Sequence, residues 1–217
     1  MPAEIKFCGL TRAEDAHAAA RLGARWMGTI FAGGPRNLRP AQALEVLRDL
    51  PAGTHRVGVF GRQSASEIAG MAREAALDTV QLHGDPAPDD VEHARAAGIA
   101  RVWAVVRVAG AALPESAADL FAVADAVVLD TRTRGALGGT GRSFDWEAVA
   151  RSVDRVRGST PLVVAGGLDP ANVAHAIAVL RPDVVDVSSG VESAPGIKDH
   201  ERMRAFADAV RLAGASP

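Results

Sequence analysis

The sequence predicts an α/β protein folded as one (β/α)8 TIM barrel, with residues 1–217 forming a single catalytic domain. Three observations point there. Short apolar, β-branched runs alternate with Ala/Leu-rich stretches of helical period along the whole chain, and the alternation gives eight such pairs. The strand runs are apolar on consecutive residues, as in Trp103-Ala104-Val105-Val106 and Ala126-Val127-Val128-Leu129, which is how strands covered on both faces read. The length fits one barrel with little left over.

The strands are expected at 5–8, 26–31, 55–60, 79–82, 101–106, 126–130, 162–165 and 184–187. Helices follow each of them. Thr11-x-x-Glu14 and Ser64-x-x-Glu67 have capping-box spacing, in which a hydroxyl and a carboxylate satisfy the free amides of a first turn. Asp169-Pro170 predicts an N-cap and a first-turn proline ahead of the apolar stripe Val173, Ile177 and Leu180. The competing doubly wound sheet has fewer strands and a glycine fingerprint after the first. Here the first turn is Cys8-Gly9-Leu10-Thr11, without GxGxxG spacing.

Composition excludes several classes of function. With 24 Lys+Arg against 26 Asp+Glu the net charge is −2, so no global field recruits nucleic acid or an anionic membrane. No Tyr and three Trp make a poor set of stacking platforms for single strands. The lone cysteine, Cys8, has no partner for an internal disulfide, which fits a reducing compartment. The first residues lead directly into a strand-like run, and no apolar stretch approaches the ~20 residues that span a bilayer. A cytoplasmic protein without nucleic-acid or membrane partners is expected, as a monomer or a homodimer. The six histidines are scattered without HxxxH or HxH spacing, so no metal site is expected.

In a barrel of this type reacting groups sit at the C-terminal ends of strands, and phosphate sits on the loops after strands seven and eight. Strand one ends in Lys6-Phe7-Cys8 and strand six in Leu129-Asp130. Strand seven runs into Ala165-Gly166-Gly167, and strand eight into Ser188-Ser189-Gly190. Two glycines at a strand end let backbone N–H groups approach an anion. Ser188-Ser189-Gly190 can open a short extra helix whose N-terminus attracts negative charge. Each loop alone is more often a tight turn; both together, at these two strands, favour phosphate.

A free cysteine is usually a small buried hydrophobe. Cys8 differs in ending a strand beside a glycine, where a thiol acts as a base if its thiolate is stabilised nearby. Lys6 lies two residues back and points into the barrel with it, placed to contact substrate more than to stabilise the thiolate. Asp130 closes an apolar strand, where a carboxylate either caps the following loop or works in the lumen. Arg36, in Gly33-Gly34-Pro35-Arg36, sits on a stiffened loop over the barrel mouth, a good place for a planar fork that binds a carboxylate. Gln81 and His83 end strand four and face either lumen or core. Gly138-Gly139-Thr140-Gly141 is a lid or an ordinary loop turn.

Over essentially its whole length the sequence resembles the phosphoribosylanthranilate isomerase family. The segments that carry the resemblance are Lys6-Phe7-Cys8-Gly9-Leu10-Thr11, Gly58-Val59-Phe60, Val80-Gln81-Leu82-His83-Gly84, Gly138-Gly139-Thr140-Gly141 with Phe144-Asp145-Trp146, Ala165-Gly166-Gly167-Leu168, and Val185-Asp186-Val187-Ser188-Ser189-Gly190-Val191-Glu192 through Pro195-Gly196-Ile197-Lys198-Asp199. Their order and spacing make the match specific. The resemblance implies an Amadori rearrangement of a small phosphosugar without cofactor or metal. It implies that Asp130 is the general acid, protonating the furanose oxygen, and that Cys8 is the general base at C2'. It places Arg36 on the anthranilate moiety and counts Gln81, His83 and Asp186 among the substrate-binding residues. Phosphate falls on Gly166, Gly167, Ser188, Ser189 and Gly190. Two loops depart from the family: Gly34-Pro35-Arg36 stands where Ser-Pro-Arg is common, and Gly61-Arg62 where Val-Asn is common.

Two other readings compete. The related histidine-pathway isomerase performs the same rearrangement with two aspartates on two phosphate-binding half-barrels. Cys8 at the base position, and the lack of a glycine-rich phosphate loop after strands three and four, count against it. A barrel that binds a phosphosugar without turnover would lack the acid or the base, and both are present.

Overall fold

A computed structural model of the chain describes residues 2–131 and 145–215. The glycine-rich segment 138–141, Phe144 and most of the loop after strand six lie outside the described residues. The strands are β1 (Glu4–Phe7), β2 (Trp26–Ile30), β3 (His55–Phe60), β4 (Thr79–Leu82), β5 (Val102–Val108), β6 (Ala126–Thr131), β7 (Leu162–Val164) and β8 (Val184–Val187). They close as a parallel ring in sequence order, with β8 returning to β1 through Lys6 opposite Asp186. The barrel expected from the eight strand–helix pairs is therefore the fold observed. The helices are α1 (Ala13–Arg21), α2 (Pro40–Val46), α3 (Ala65–Glu74), α4 (Pro88–Ala96), α5 (Ala117–Val123), α6 (Trp146–Val156), α7 (Val173–Leu180) and α8 (His200–Gly214).

The consecutive apolar residues of each strand divide between two cores, because neighbouring side chains point to opposite faces. Phe7, Met27, Phe60, Leu82, Ala104, Leu129 and Val164 pack outward against the helices. Trp26, Val57, Trp103, Val105, Ala126, Val128, Val163 and Val184 fill the lower barrel interior, where Trp26 and Trp103 meet at 4.6 Å between rings. The interior is thus a plug of side chains below and polar groups above. One step further along the same inward rows come Lys6 and Cys8, Gln81 and His83, Arg107, Asp130, Asp186 and Ser188.

Local signals hold in part. Ser64 caps α3 as expected: its hydroxyl accepts from the Glu67 amide, and the Glu67 carboxylate accepts from the Ser64 amide at 2.8 Å. The capping box expected at Thr11 does not form. Helix α1 starts one residue later, and the Thr11 hydroxyl donates to the Gly196 carbonyl at 2.5 Å, a long-range partner that local spacing does not reveal. Asp169 accepts from the Ala171 and Asn172 amides, so it caps a turn that leads into α7 and not the helix itself. After β8 the short extra helix expected at Ser188-Ser189-Gly190 is a single 3-10 turn, Ser189–Val191, and it leads into a small hairpin, β9 (Glu192–Ala194) and β10 (Ile197–Lys198), which the sequence reading does not contain. Strand β5 runs two residues beyond its expected end, and that extension carries Arg107 to the barrel mouth.

Candidate active site

A cavity of about 410 Å³ opens at the C-terminal ends of the strands, within the size range of small-molecule sites. Cys8 enters it from β1, and Asp130 from β6 on the far side of the ring. Between them the wall carries Arg36, Gln81, His83, Asp186, Ser188 and the glycines after β7. Of the residues expected at the site, two do not line the cavity, Lys6 and, on the β8 loop, Gly190. Gly190 packs against the Leu168 carbonyl, closer than any added Cβ would permit, and so ties the β8 loop to the β7 loop.

Cys8 sits just past the last residue of β1, with its amide bonded to the Val187 carbonyl. Burial pushes its thiol above the ordinary value, while Lys6 and Lys198 work against burial. Lys6 is fully buried and does not reach the cavity wall. Its ammonium donates to Asp186 at 2.6 Å and to Gln81 at 3.0 Å, and the thiol is its next neighbour. The expectation that Lys6 contacts substrate and leaves the thiolate alone is therefore reversed. At the floor of the site it holds two carboxylate or amide oxygens and supplies positive charge beneath Cys8. A buried ammonium needs those partners, since an unpaired one is too costly to keep.

Asp130 is buried, which raises its carboxyl above the usual range, and Asp186 adds to that push. Arg107, donating at 3.0 Å, and the Thr131 amide, donating at 2.8 Å, oppose it. The carboxyl thus does cap the start of its loop, one of the two roles open to it in the sequence, and also faces the lumen. Arg107 reaches the His83 carbonyl at 3.2 Å as well, joining β4, β5 and β6 at one point. His83 is pushed down to about 3 by burial, then by Arg107 and Lys6, so its ring is neutral at physiological pH. Its Nε2 lies 4.0 Å from Asp130, too far for a hydrogen bond.

Around this wall, buried Nδ1 of His83, Oγ1 of Thr131, Oδ1 of Asp186 and Oγ of Ser188 have no protein partner among the described residues. Buried polar atoms normally find partners, and His83, Asp186 and Ser188 line the cavity, so their unpaired atoms mark a surface built for a polar ligand rich in hydroxyl or phosphate oxygens. Gly166 and Gly167 take φ of 82° and 73°, conformations open to glycine, and turn the chain back across the cavity directly over Asp130. With Ser188 and Ser189 on the neighbouring loop after β8, they line the β7–β8 side of the cavity.

Arg36 lines the cavity as expected, but one edge of its guanidinium is already used. Nε donates to Glu192 at 2.8 Å and Nη2 to the same carboxylate at 2.5 Å. Sequence reasoning assigned no role to Arg107, Glu192 or Lys198. Arg107 was within reach, because it falls on the inward row of β5 two residues after Val105. Glu192 and Lys198 lie within quoted motif segments, yet nothing local announces their pairing across a hairpin.

The family model for N-(5'-phosphoribosyl)anthranilate isomerase matches residues 5–209 of the chain. The chain belongs to this isomerase family. An N-(5'-phosphoribosyl)anthranilate isomerase of Acidithiobacillus ferrooxidans is 41% identical over 209 residues, covering 95% of this chain and 97% of the relative. The corresponding protein of Magnetococcus marinus is 43% identical over 218 residues, covering 98% and 97%. The crystal structure of the isomerase from Thermotoga maritima superposes with a TM-score of 0.85 at 34% identity, covering 97% of this chain and 99% of that one. Like its relatives, this isomerase is a (β/α)8 enzyme of tryptophan biosynthesis. No helix among the described residues is long and apolar enough to cross a membrane.

Proposed function

We propose that Asp130 and Cys8 carry out the isomerisation of N-(5'-phosphoribosyl)anthranilate to 1-(2-carboxyphenylamino)-1-deoxyribulose 5-phosphate as an acid–base pair. The observation that carries this reading is that the two groups line one cavity from strand ends three places apart in the ring, β1 and β6. An aldose-to-ketose shift needs an acid on one side of the sugar and a base on the other. Protonated Asp130 donates to the furanose ring oxygen, and the C1'–O bond breaks to give the open-chain Schiff base. Cys8 thiolate removes the C2' proton. The electron pair moves into a C1'–C2' double bond, giving the enolamine, which takes a proton at C1' and releases the O2' proton to become the ketone.

Each environment supports its role. Burial raises Asp130 and favours its protonated form, the state a donor needs. Cys8 bears the cost of burial too, and the Lys6 ammonium is the nearby charge that makes its thiolate tolerable. Phosphate is assigned to the amides and hydroxyls of Gly166, Gly167, Ser188 and Ser189, with Gly190 holding the two loops together. The anthranilate ring then points to Arg36, and Gln81, His83 and Asp186 line the sugar between them. The chain works as one catalytic domain over 1–217, in the cytoplasm, as a monomer or a homodimer, without metal or cofactor.

The test is a fluorescence assay for loss of phosphoribosylanthranilate on adding purified protein with EDTA and no cofactor. Turnover is expected under those conditions. Activity that depends on an added divalent metal would refute the mechanism.

A further inference from the structure

Glu192 and Lys198 form a buried ion pair that the acid–base chemistry does not use. They face each other across the β9–β10 hairpin, with Lys198 Nζ 2.9 Å from Glu192 Oε1. The same ammonium donates to the Cys8 carbonyl at 2.6 Å and to the Ser188 carbonyl at 3.1 Å. The same carboxylate takes the Nε–Nη2 edge of Arg36 in a two-bond fork. One pair of residues therefore ties the end of β1, the end of β8 and the loop after β2 into a single frame.

The chemistry of the fork decides what remains of Arg36. A guanidinium carries five N–H donors in a plane, and a side-on carboxylate uses two of them. The Nη1–Nη2 edge is left for a ligand. Its direction is fixed by Glu192 behind it and by Gly9 beneath it, where an added Cβ would lie 2.5 Å from Arg36 Cδ. Burial would push Glu192 up, but the Arg36 hydrogen bonds and Lys198 hold it below the usual carboxylate range, so it stays charged. Its negative charge is matched by Lys198, so the edge of Arg36 that faces the cavity still presents a cation.

We propose that Glu192, backed by Lys198, is a positioning residue that aims Arg36 at the substrate's ring carboxylate and registers that receptor to the base at Cys8. The inference rests on the functional reading above and deepens it, since it makes discrimination for an ortho-carboxylate depend on a side chain that does not touch substrate. A guanidinium already held in place pays no ordering cost when the carboxylate arrives, whereas a free one does.

The test compares two substrates made by the same condensation of ribose 5-phosphate, one with anthranilate and one with aniline, which lacks the carboxylate. Product formation is followed by chromatography, and the readout is the ratio of the two kcat/KM values. That ratio is independent of the folded fraction, so a merely structural role does not move it. In the wild type the ratio is expected to favour the carboxylate strongly. In Glu192→Gln it is expected to fall at least tenfold, and Glu192→Asp, which keeps the charge but not the reach to both cations, to lie in between. A wild-type ratio near one would overturn the role of Arg36 itself. A high wild-type ratio that stays unchanged or rises in Glu192→Gln would overturn this inference alone, because it would mean that Glu192 only competes for Arg36. Should Glu192→Gln fail to fold, Glu192→Asp carries the same test, and an unchanged ratio there is equally decisive.

Discussion

Asp130→Asn separates the acid's chemistry from its structural role. The carboxyl has two fixed contacts, Thr131 N–H on Oδ1 at 2.8 Å and Arg107 Nη1 on Oδ2 at 3.0 Å. An asparagine keeps its carbonyl on the Thr131 amide, but its NH2 then faces the Arg107 donor. Losing a hydrogen bond to a charged group costs about 2 kcal/mol. Arg107 retains the His83 carbonyl, so it is not stranded. Domains of this kind have ~5–15 kcal/mol of stability, and after a 2 kcal/mol loss about 99% or more of the protein stays folded. Unfolding therefore cannot account for a large fall in rate. General-acid contributions are typically ~10²–10⁴-fold, equivalent to about 3–5 kcal/mol of barrier. The prediction is a fall of that size in kcat with KM and melting temperature nearly unchanged, read by the fluorescence assay and by thermal unfolding. A variant retaining kcat within about tenfold of wild type would show that Asp130 is a loop cap only.

Cys8→Ser is close to isosteric and is expected to fold normally with turnover reduced by ~10²–10⁴-fold, because a hydroxyl supplies almost no alkoxide. Since burial raises the thiol, alkylation by iodoacetamide should keep accelerating with pH beyond the range of an ordinary cysteine, and substrate should protect; a profile levelling off near neutrality would contradict the environment described. Inorganic phosphate or sulfate is expected to compete with substrate and, in crystals, to lie at Gly166, Gly167, Ser188 and Ser189; an anion bound only elsewhere would count against that assignment. His83 titrates near 6.5 when unfolded and near 3 when folded, so the folded state binds fewer protons and stability falls as pH drops below about 6.5. Between neutrality and pH 5 the loss is about 2 kcal/mol, and His83→Gln should remove that part of the slope in denaturant unfolding; an unchanged slope would place the titration elsewhere.

The fold was legible because every strand is buried on both faces, and such strands leave continuous apolar runs that periodicity detects directly. Its ends were less so. Strand β5 was expected to stop at Val106, yet Arg107 stays in the ladder opposite Asp130 and Val108 behind it is buried. A charged residue inside a barrel strand is compatible with the fold only when it points into a polar lumen. The sequence could say which residues point inward only once the outward core was known. Thr11 failed as a cap for a related reason: the N-cap position falls one residue later, at Arg12, and the Thr11 hydroxyl is instead held by a distant part of the chain, donating to the Gly196 carbonyl.

The site was legible to the extent that it follows strand ends. Cys8, Gln81, His83, Asp130, Asp186 and Ser188 all lie on inward rows above the apolar plug, so counting by twos from it finds them. What counting cannot find is the charge arrangement beneath them. Cys8 is surrounded by Lys6, Lys198 and Arg36, and those cations are in turn paired with Asp186 and Glu192. Three positive and two negative charges leave one positive charge over, and a thiolate at Cys8 is the anion that balances the cluster. The resting thiol is therefore held protonated by burial, while its surroundings are short of the one negative charge that deprotonation supplies. The base that takes a proton from carbon is the thiolate, and the leftover positive charge offsets part of the cost of burial in forming it. The cluster is built from residues on β1, the β2 loop, β8 and the β9–β10 hairpin, which only the closed ring brings together.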